Sequence, residues 1–373
     1  MADYSEYQGP NPEWIELLRT TILPPSGLRP GLETPEELRD LTNATREQTA
    51  RLDLENAGLL NKVQWKDHQV PTRDASVITA RVYKPKELLS SSPIPVYLYY
   101  HGGGYLMGTV ASDDAICSRI VDASPIPLMV LSVNYRHTPE FKHPTQHNDA
   151  WDSFEWLSRS IEDLGGDRSR VIVGGISAGG GLAASVVIRA NQDEWKQGRK
   201  LQIHGQVLCI PWIAHPQSYP FHLLASKEKS SYVQNIDAPI LPRRNHVLFA
   251  DLLDVNDPTD IYMSPLLAPD AAVKGLPKTV FLVAGQDPLR DEGLLYAETL
   301  KANRTPTTVH VFPGLPHGFR RFASLASALS GTSVLIRVSS GASEIVIRVR
   351  SRLNGRLQIH YRITNSTWPN TGI

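Results

Sequence analysis

Short apolar runs alternate along this chain with segments whose apolar residues repeat every three or four positions. The runs rich in β-branched residues predict strands at 77–84, 94–100, 127–133, 170–173, 203–210, 279–283 and 307–312. Helical spacing occurs between them, at 112–122, 148–160, 179–190 and 288–302. Because strands and helices alternate, we predict an α/β fold in which a mostly parallel sheet carries helices on both faces.

Three further segments depart from this alternation. Residues 1–60 have helical periodicity broken by a proline-rich turn, and residues from about 214 to 269 are rich in proline and aromatic residues. A loop of that length without structure is improbable in a compact domain. We therefore predict that both segments form a cap over a central domain of residues 61–330. In the tail, 331–373, arginine alternates with apolar residues, which is typical of an exposed edge or a disordered end; an RNA-binding tail is the alternative.

Composition narrows the class of protein. Lysine and arginine total 38, as do aspartate and glutamate, so the net charge is zero and gives no electrostatic argument for a nucleic-acid or anionic-membrane partner. The hydrophobic content of 41% argues against disorder. Cys117 and Cys209 lie in apolar stretches, where we expect buried thiols. Without a secretory signal or an apolar run of about 20 residues, we expect a cytoplasmic protein with no membrane span.

The most specific motif is Gly175-Ile176-Ser177-Ala178-Gly179, which lies between a predicted strand and a predicted helix. A serine on a sharp strand-to-helix turn is forced outward, and a side chain at Gly175 or Gly179 would collide with the tight backbone. The positive end of the following helix also favours negative charge beside the serine. A glycine-rich turn without a function is the alternative, since so short a pattern also occurs by chance. The absence of Gly-Lys-Ser/Thr excludes a phosphate loop.

A second motif, His101-Gly102-Gly103-Gly104, follows the strand predicted at 94–100. Three consecutive glycines cost conformational entropy, so a chain that keeps them has a use for backbone N–H groups that no side chain shields. An oxyanion hole has this requirement. We expect its donors to be the N–H groups of Gly102, Gly103 and Ala178. A flexible loop is the alternative.

The two glycine motifs together resemble those of the hormone-sensitive-lipase-like branch of the α/β-hydrolase superfamily, including fungal members. The segment 134–140 (Asn-Tyr-Arg-His-Thr-Pro-Glu) is similar to the family's Tyr-Arg-x-x-Pro-Glu motif, and 287–293 and 316–319 are similar to its acid and histidine motifs. The resemblance covers about 63–328. It implies an eight-stranded sheet with a helical cap, carboxylesterase activity on a small-molecule ester and no metal or organic cofactor. The chain departs from the family pattern in two places. One is Ile176, where relatives carry an acid, and the other is the tail, 331–373.

The order serine, aspartate, histidine is the one that an α/β-hydrolase requires. Ser177 is the expected nucleophile, His317 the expected base and Asp287 the expected acid that orients the imidazole. We prefer Asp287 because it follows the strand predicted at 279–283, whereas Asp291 falls within the next helix, as a helix-face or capping residue. His317 likewise follows the strand predicted at 307–312.

Other polar residues have structural interpretations. His143 and His147 have the spacing of a metal-binding pair but lack a third ligand, so we predict a surface or helix-start pair and no metal. Arg136, Glu140 and Asp149 are expected to form a structural network beneath the site.

The motifs therefore predict a serine hydrolase that forms an acyl-enzyme, and relatives in fungi suggest natural-product metabolism. A transesterase or a lactonase would use the same chemistry. A receptor that binds small ligands under the cap is the alternative from another class, although such receptors typically lose the histidine that this chain retains. The sequence leaves a homodimer open.

Overall fold

The computed structural model describes residues 1–21, 23, 34–88, 92–192, 201–322 and 324–328. The tail predicted at 331–373 lies outside the described residues. Within the described part of the chain, no helix is both long and apolar enough to cross a membrane. The cytoplasmic location stays a prediction.

Eight strands form one sheet, in the spatial order β1-β2-β4-β3-β5-β6-β7-β8. The strands are β1 Val63–Pro71, β2 Val77–Pro85, β3 Ile94–Tyr100, β4 Met129–Asn134, β5 Gly166–Ile176, β6 Ile203–Cys209, β7 Lys278–Gln286 and β8 Thr307–Pro316. Strand β2 pairs antiparallel with β1 and with β4, and the remaining pairs are parallel. The prediction of a mostly parallel α/β sheet is confirmed.

The helices of the described chain cover both faces of this sheet. They are α1 Pro12–Thr20, α2 Pro35–Asn56, α3 Asp114–Asp122, α4 Thr145–Ser160, α5 Ala178–Asn191, α6 Ser231–Gln234, α7 Arg243–Leu253, α8 Asp270–Val273 and α9 Arg290–Ala302. Along β3, Leu98 packs in one hydrophobic cluster with α4, α5 and α9, whereas Tyr97 and Tyr99 pack in another with α1 and α3. This alternation follows from the two-residue period of a strand and gives the sheet a core on each side.

The sequence pattern missed β1 and misplaced several ends. Strand β1 reads Val-Gln-Trp-Lys-Asp-His-Gln-Val-Pro and lies at the edge of the sheet, where most of its side chains are exposed or half-buried. An edge strand needs few apolar residues, so no apolar run marks it. Strand β5 starts before and ends after the predicted 170–173, and α4 begins three residues before the predicted 148.

The first segment and the insertion contain helices, as expected. Helix α2 begins at a capping box in which Thr34 and Glu37 satisfy each other's backbone N–H groups. Helix α2 packs against α3 and against the short 3-10 turn, Ala111–Asp113, that precedes α3. In the insertion, α7 carries Phe249 and its apolar neighbours into the main core. The division into a cap and a central domain stays a proposal.

Candidate active site

Ser177 lies in the turn between β5 and α5 with φ 57° and ψ −120°, a backbone conformation that is unfavourable for a residue with a side chain. Surrounding backbone holds it there. Its N–H donates to the carbonyl oxygen of Cys209 at 2.9 Å, and its own carbonyl oxygen accepts from the N–H groups of Gly181 at 3.1 Å and Trp212 at 3.0 Å. The hydroxyl is thereby presented at the carboxyl end of the sheet.

The glycines of this turn are required by close backbone approach. A Cβ placed on Gly175 would lie 2.2 Å from the carbonyl oxygen of Gly179, and Gly179 is closed off in turn by the backbone at the end of β3. Real Cβ atoms do not approach a carbonyl oxygen so closely, so neither position accepts a larger residue without movement of the backbone. Close backbone approach therefore explains why the motif carries glycine at both positions.

Two loops from later strands meet the serine. His317, directly after β8, places Nε2 3.0 Å from Oγ of Ser177 and Nδ1 2.7 Å from Oδ2 of Asp287. Asp287 directly follows β7, and its Oδ1 accepts from the N–H of Leu289 at 2.9 Å. Asp287 is 1% exposed, and Ser177 and His317 are each 8% exposed. Water therefore competes little for these hydrogen bonds.

The glycine loop after β3 lies beside the serine. A Cβ on Gly102 would come within 3.3 Å of Cβ of Ser177, so the two backbones are in near contact. Gly103 and Gly104 both have positive φ angles, +150° and +63°. Among the described residues, no protein acceptor takes a hydrogen bond from the N–H groups of Gly102, Gly103 or Ala178. These three donors are available to a ligand.

His101 supports this loop from inside the protein. Its ring is fully buried and stacks on Tyr135 with the ring centroids 4.4 Å apart. Burial lowers the pKa of His101 to about 4, so the imidazole is neutral at physiological pH. It contributes packing to the loop rather than charge.

The insertion supplies side chains that the sequence analysis did not identify. Phe249 on α7 closes over the glycine loop, because a Cβ on Gly104 would lie 2.3 Å from its ring. His246, one turn earlier, is 1% exposed and packs edge-on against Trp212 with centroids 4.5 Å apart. Burial lowers the pKa of His246 to about 3. Only the helical spacing of these two residues in an aromatic-rich segment could have suggested them.

Asp291, the other acidic candidate, has a structural role. Asp291, in the first turn of α9, accepts from Nε of Arg290 at 2.7 Å and from the backbone N–H of Ser231 at 2.6 Å. It therefore ties the insertion to the main body of the protein and does not contact His317 in the structure.

The expected network is only partly present. Arg136 and Asp149 form a close ion pair of 2.6 Å, but Glu140 pairs instead with Arg39 of α2, also at 2.6 Å. His147, in the first turn of α4, is buried, and His143, two residues before that helix, is half-buried. The pair therefore lies at a helix start, as one of the two interpretations had it, and the surface interpretation is wrong for His147. The described residues contain no group of three or more histidine, cysteine or acidic side chains placed to hold a metal ion.

A serine on a strand-to-helix turn, followed by an acid and a histidine on loops after later strands, is the arrangement of an α/β-hydrolase. Residues 97–321 match a family profile described as "alpha/beta hydrolase fold", and the chain belongs to this family, in its hormone-sensitive-lipase-like carboxylesterase branch. The predictions of family and fold are confirmed.

Known relatives agree with this assignment. The chain is 34% identical to Esterase LipI of Mycobacterium tuberculosis over 68% of this chain and 74% of that protein. It is 31% identical to the versiconal hemiacetal acetate esterase of Dothistroma septosporum, over 66% and 72% of the two chains. The crystal structure of vibralactone cyclase has a TM-score of 0.80 with 26% identity, covering 90% of this chain and 95% of the other. The protein is a carboxylic ester hydrolase, as the motifs predicted.

Proposed function

We propose that Ser177 is the nucleophile of an acyl-enzyme mechanism that cleaves small carboxylic esters. The observation that carries the proposal is the unbroken line of hydrogen bonds from Ser177 Oγ through the His317 imidazole to the Asp287 carboxylate. Such a line activates a hydroxyl because the imidazole can accept its proton while the carboxylate stabilises the charge that results.

In the first half of the reaction, Ser177 Oγ attacks the ester carbonyl carbon and its proton passes to Nε2 of His317. Asp287 holds Nδ1–H and so fixes the tautomer that leaves Nε2 free to accept. The carbonyl oxygen becomes an oxyanion, which the N–H groups of Gly102, Gly103 and Ala178 bind. The C–O bond then breaks, and the protonated His317 gives its proton to the leaving alcohol.

In the second half, water attacks the acyl carbon and His317 removes its proton. A second oxyanion forms in the same hole and collapses to release the acid and free Ser177. Every proton is carried by His317, so this sequence needs no metal or organic cofactor. An alcohol in place of water would give transesterification, and an ester within a ring would make the reaction a lactone opening.

A role in fungal natural-product metabolism is part of the proposal. It is supported by the likeness to an esterase named for versiconal hemiacetal acetate and to a cyclase named for vibralactone. Phe249, which α7 holds over the glycine loop, and the packed rings of His246 and Trp212 suit an apolar substrate of limited size. A homodimer and the absence of a nucleic-acid partner stay predictions.

The test combines a labelled organophosphonate with a Ser177→Ala variant. We expect covalent labelling of the wild type at Ser177 and a loss of turnover by several orders of magnitude in the variant, with unchanged unfolding. Ser185→Ala, a buried serine further along α5, is the matched control and should be labelled normally. Labelling that survives Ser177→Ala would contradict Ser177 as the nucleophile, and a folded wild type that never reacts would favour a binding protein. A graded series of p-nitrophenyl esters and lactones then separates the substrate classes.

A further inference from the structure

Each proposed oxyanion donor is one end of a peptide group whose other end is a carbonyl. The N–H of Gly102 shares its peptide with the carbonyl of His101, that of Gly103 with the carbonyl of Gly102, and that of Ala178 with the carbonyl of Ser177. A hydrogen bond accepted by such a carbonyl polarises the whole peptide group and strengthens its N–H as a donor. The partners of these three carbonyl oxygens therefore bear on the chemistry.

All three carbonyl oxygens have donors. That of Ser177 accepts from two backbone N–H groups, those of Gly181 and Trp212. The other two accept from Tyr135 and Arg46, which are far from Ser177 in the sequence and can be replaced without disturbing the nucleophile turn. The carbonyl oxygen of Gly102 also lies 3.3 Å from Nδ1 of its neighbour His101.

The first of these side chains is Tyr135, whose hydroxyl donates to the carbonyl oxygen of His101 at 2.8 Å. Tyr135 is fully buried, and its ring is held in place by the stacked ring of His101. Burial raises the pKa of Tyr135 well above its ordinary value, so the phenol keeps its proton and remains a donor.

The second is Arg46 of α2, whose Nη1 donates to the carbonyl oxygen of Gly102 at 3.4 Å. Burial lowers the pKa of Arg46 to about 9, which leaves the guanidinium charged at neutral pH. Among the described residues, no carboxylate lies within ion-pair distance of it. Asp113 acts on this cation only from beyond ion-pair distance. A sheltered cation without a direct ion pair is costly, and a negative charge that forms nearby during the reaction offsets part of that cost.

We propose that Tyr135 and Arg46 are positioning residues that polarise the peptides of the oxyanion loop, so that Gly102 and Gly103 bind the transition state more strongly than the substrate. Neither side chain contacts the reacting atoms in this proposal; both act through the loop. The inference rests on the proposed function, since it presupposes that an oxyanion forms beside Gly102 and Gly103.

The test for Tyr135 is Tyr135→Phe, which removes the hydroxyl and keeps the stacked ring. We expect kcat to fall about tenfold, less than the loss of a whole oxyanion donor, with KM within about twofold of wild type. Tyr100→Phe is the matched control, because the Tyr100 hydroxyl is also buried and donates to a backbone carbonyl, that of Ala150, at 2.8 Å. This control should keep wild-type kcat.

A trifluoromethyl ketone separates polarisation from a structural role. Ser177 Oγ adds to the carbonyl carbon of this ketone, and the carbonyl oxygen becomes an oxyanion. The inhibition constant of the ketone should therefore rise in Tyr135→Phe by the same factor by which kcat/KM falls. A merely structural role would lower the unfolding midpoint and leave that constant unchanged in the folded fraction. Equal inhibition constants for Tyr135→Phe and wild type would overturn the proposal for Tyr135.

For Arg46, the informative pair is Arg46→Met and Arg46→Lys. We expect the neutral Arg46→Met to lose about tenfold in kcat and Arg46→Lys to recover most of that loss, because the charge returns to the same region. Arg39→Met is the control on the same helix, since Arg39 bonds to Glu140 and the Thr138 carbonyl. Equal activity in Arg46→Met and wild type overturns this half of the proposal. Failure of the proposed function is seen separately, as activity that survives Ser177→Ala.

Discussion

Gly179 lies against the backbone of Tyr100, at a distance that leaves no room for a methyl group. A Cβ on Gly179 would be 2.1 Å from the carbonyl oxygen of Tyr100. We therefore expect Gly179→Ala to displace the turn that carries Ser177, to lower the free energy of unfolding by about 2 kcal/mol or more and to reduce kcat at least a hundredfold. Urea denaturation and ester hydrolysis by the purified variant measure both effects.

Gly205→Ala is the control for this prediction. A Cβ on Gly205 meets the carbonyl oxygen of Lys278 at 3.5 Å, an ordinary contact within the sheet. We expect that variant to keep both its stability and its activity. If Gly179→Ala behaved in the same way, the turn would be looser than the structure indicates.

The two acidic residues of the segment 287–291 should have separable effects. Asp287→Asn would leave the packing almost intact but favour the wrong tautomer of His317, so we expect kcat to fall by roughly 10⁴ with little change in KM. Asp291→Asn would instead weaken the contacts with Arg290 and Ser231. We expect lower stability and a smaller loss of kcat, and steady-state kinetics with thermal unfolding distinguish the two. An equal fall in kcat would mean that Asp291 serves His317.

Buried neutral histidines should make the fold sensitive to acid. Burial lowers the pKa of His101 to about 4 and that of His246 to about 3. An unfolded histidine takes up its proton near pH 6.5, so below that pH the unfolded state binds more protons than the folded state. Stability is therefore present above pH 6.5 and is lost as the pH falls towards these depressed values.

The measurement is the free energy of unfolding in urea at pH 7.5 and at pH 5. We expect it to be smaller at pH 5, by about 1.4 kcal/mol for each such histidine and each pH unit below 6.5. His246→Phe removes one of these groups and should reduce the difference between the two pH values. His204, which is exposed on β6, serves as the control in His204→Phe. A wild type equally stable at both pH values would contradict this account.

Two ion pairs of similar length should differ greatly in their contribution to the free energy of unfolding. The Arg136–Asp149 pair is 2.6 Å long and its carboxylate is wholly buried, so Arg136→Ala would leave that carboxylate buried without its cation, at a cost of about 3–5 kcal/mol. The Lys142–Asp254 pair is 2.7 Å long, but both side chains are 62% exposed. Lys142→Ala should cost about 1 kcal/mol or less. Denaturation midpoints of the two variants make the comparison.

Local patterns predicted much of this architecture because its buried strands are apolar and its turns need glycine. The runs that became β3 and β6 are buried along most of their length, and Gly175 and Gly179 are sterically required. Ser177, Asp287 and His317 could be proposed because the order of the three motifs is itself informative, and the structure brings these side chains within hydrogen-bonding distance.

What the patterns missed depends on long-range packing. No local pattern marks Arg46 or His246. Arg46 lies on an early helix, and only folding brings it to the glycine loop. His246 lies in the insertion, and only folding brings it to Trp212. Likewise the family motif places Glu140 in one network with Arg136 and Asp149, whereas Glu140 pairs with Arg39 from α2. Tertiary contacts of this kind leave no periodic signal.

The positive φ angle of Ser177 places backbone strain at the residue that we propose as the nucleophile. A residue without a Cβ relaxes such a conformation at little steric cost. Replacement of this proposed nucleophile by glycine should thus yield a protein that is more stable than the natural one and inactive as an esterase. Selection for folding stability alone would favour the loss of this serine and, with it, of the activity that we propose.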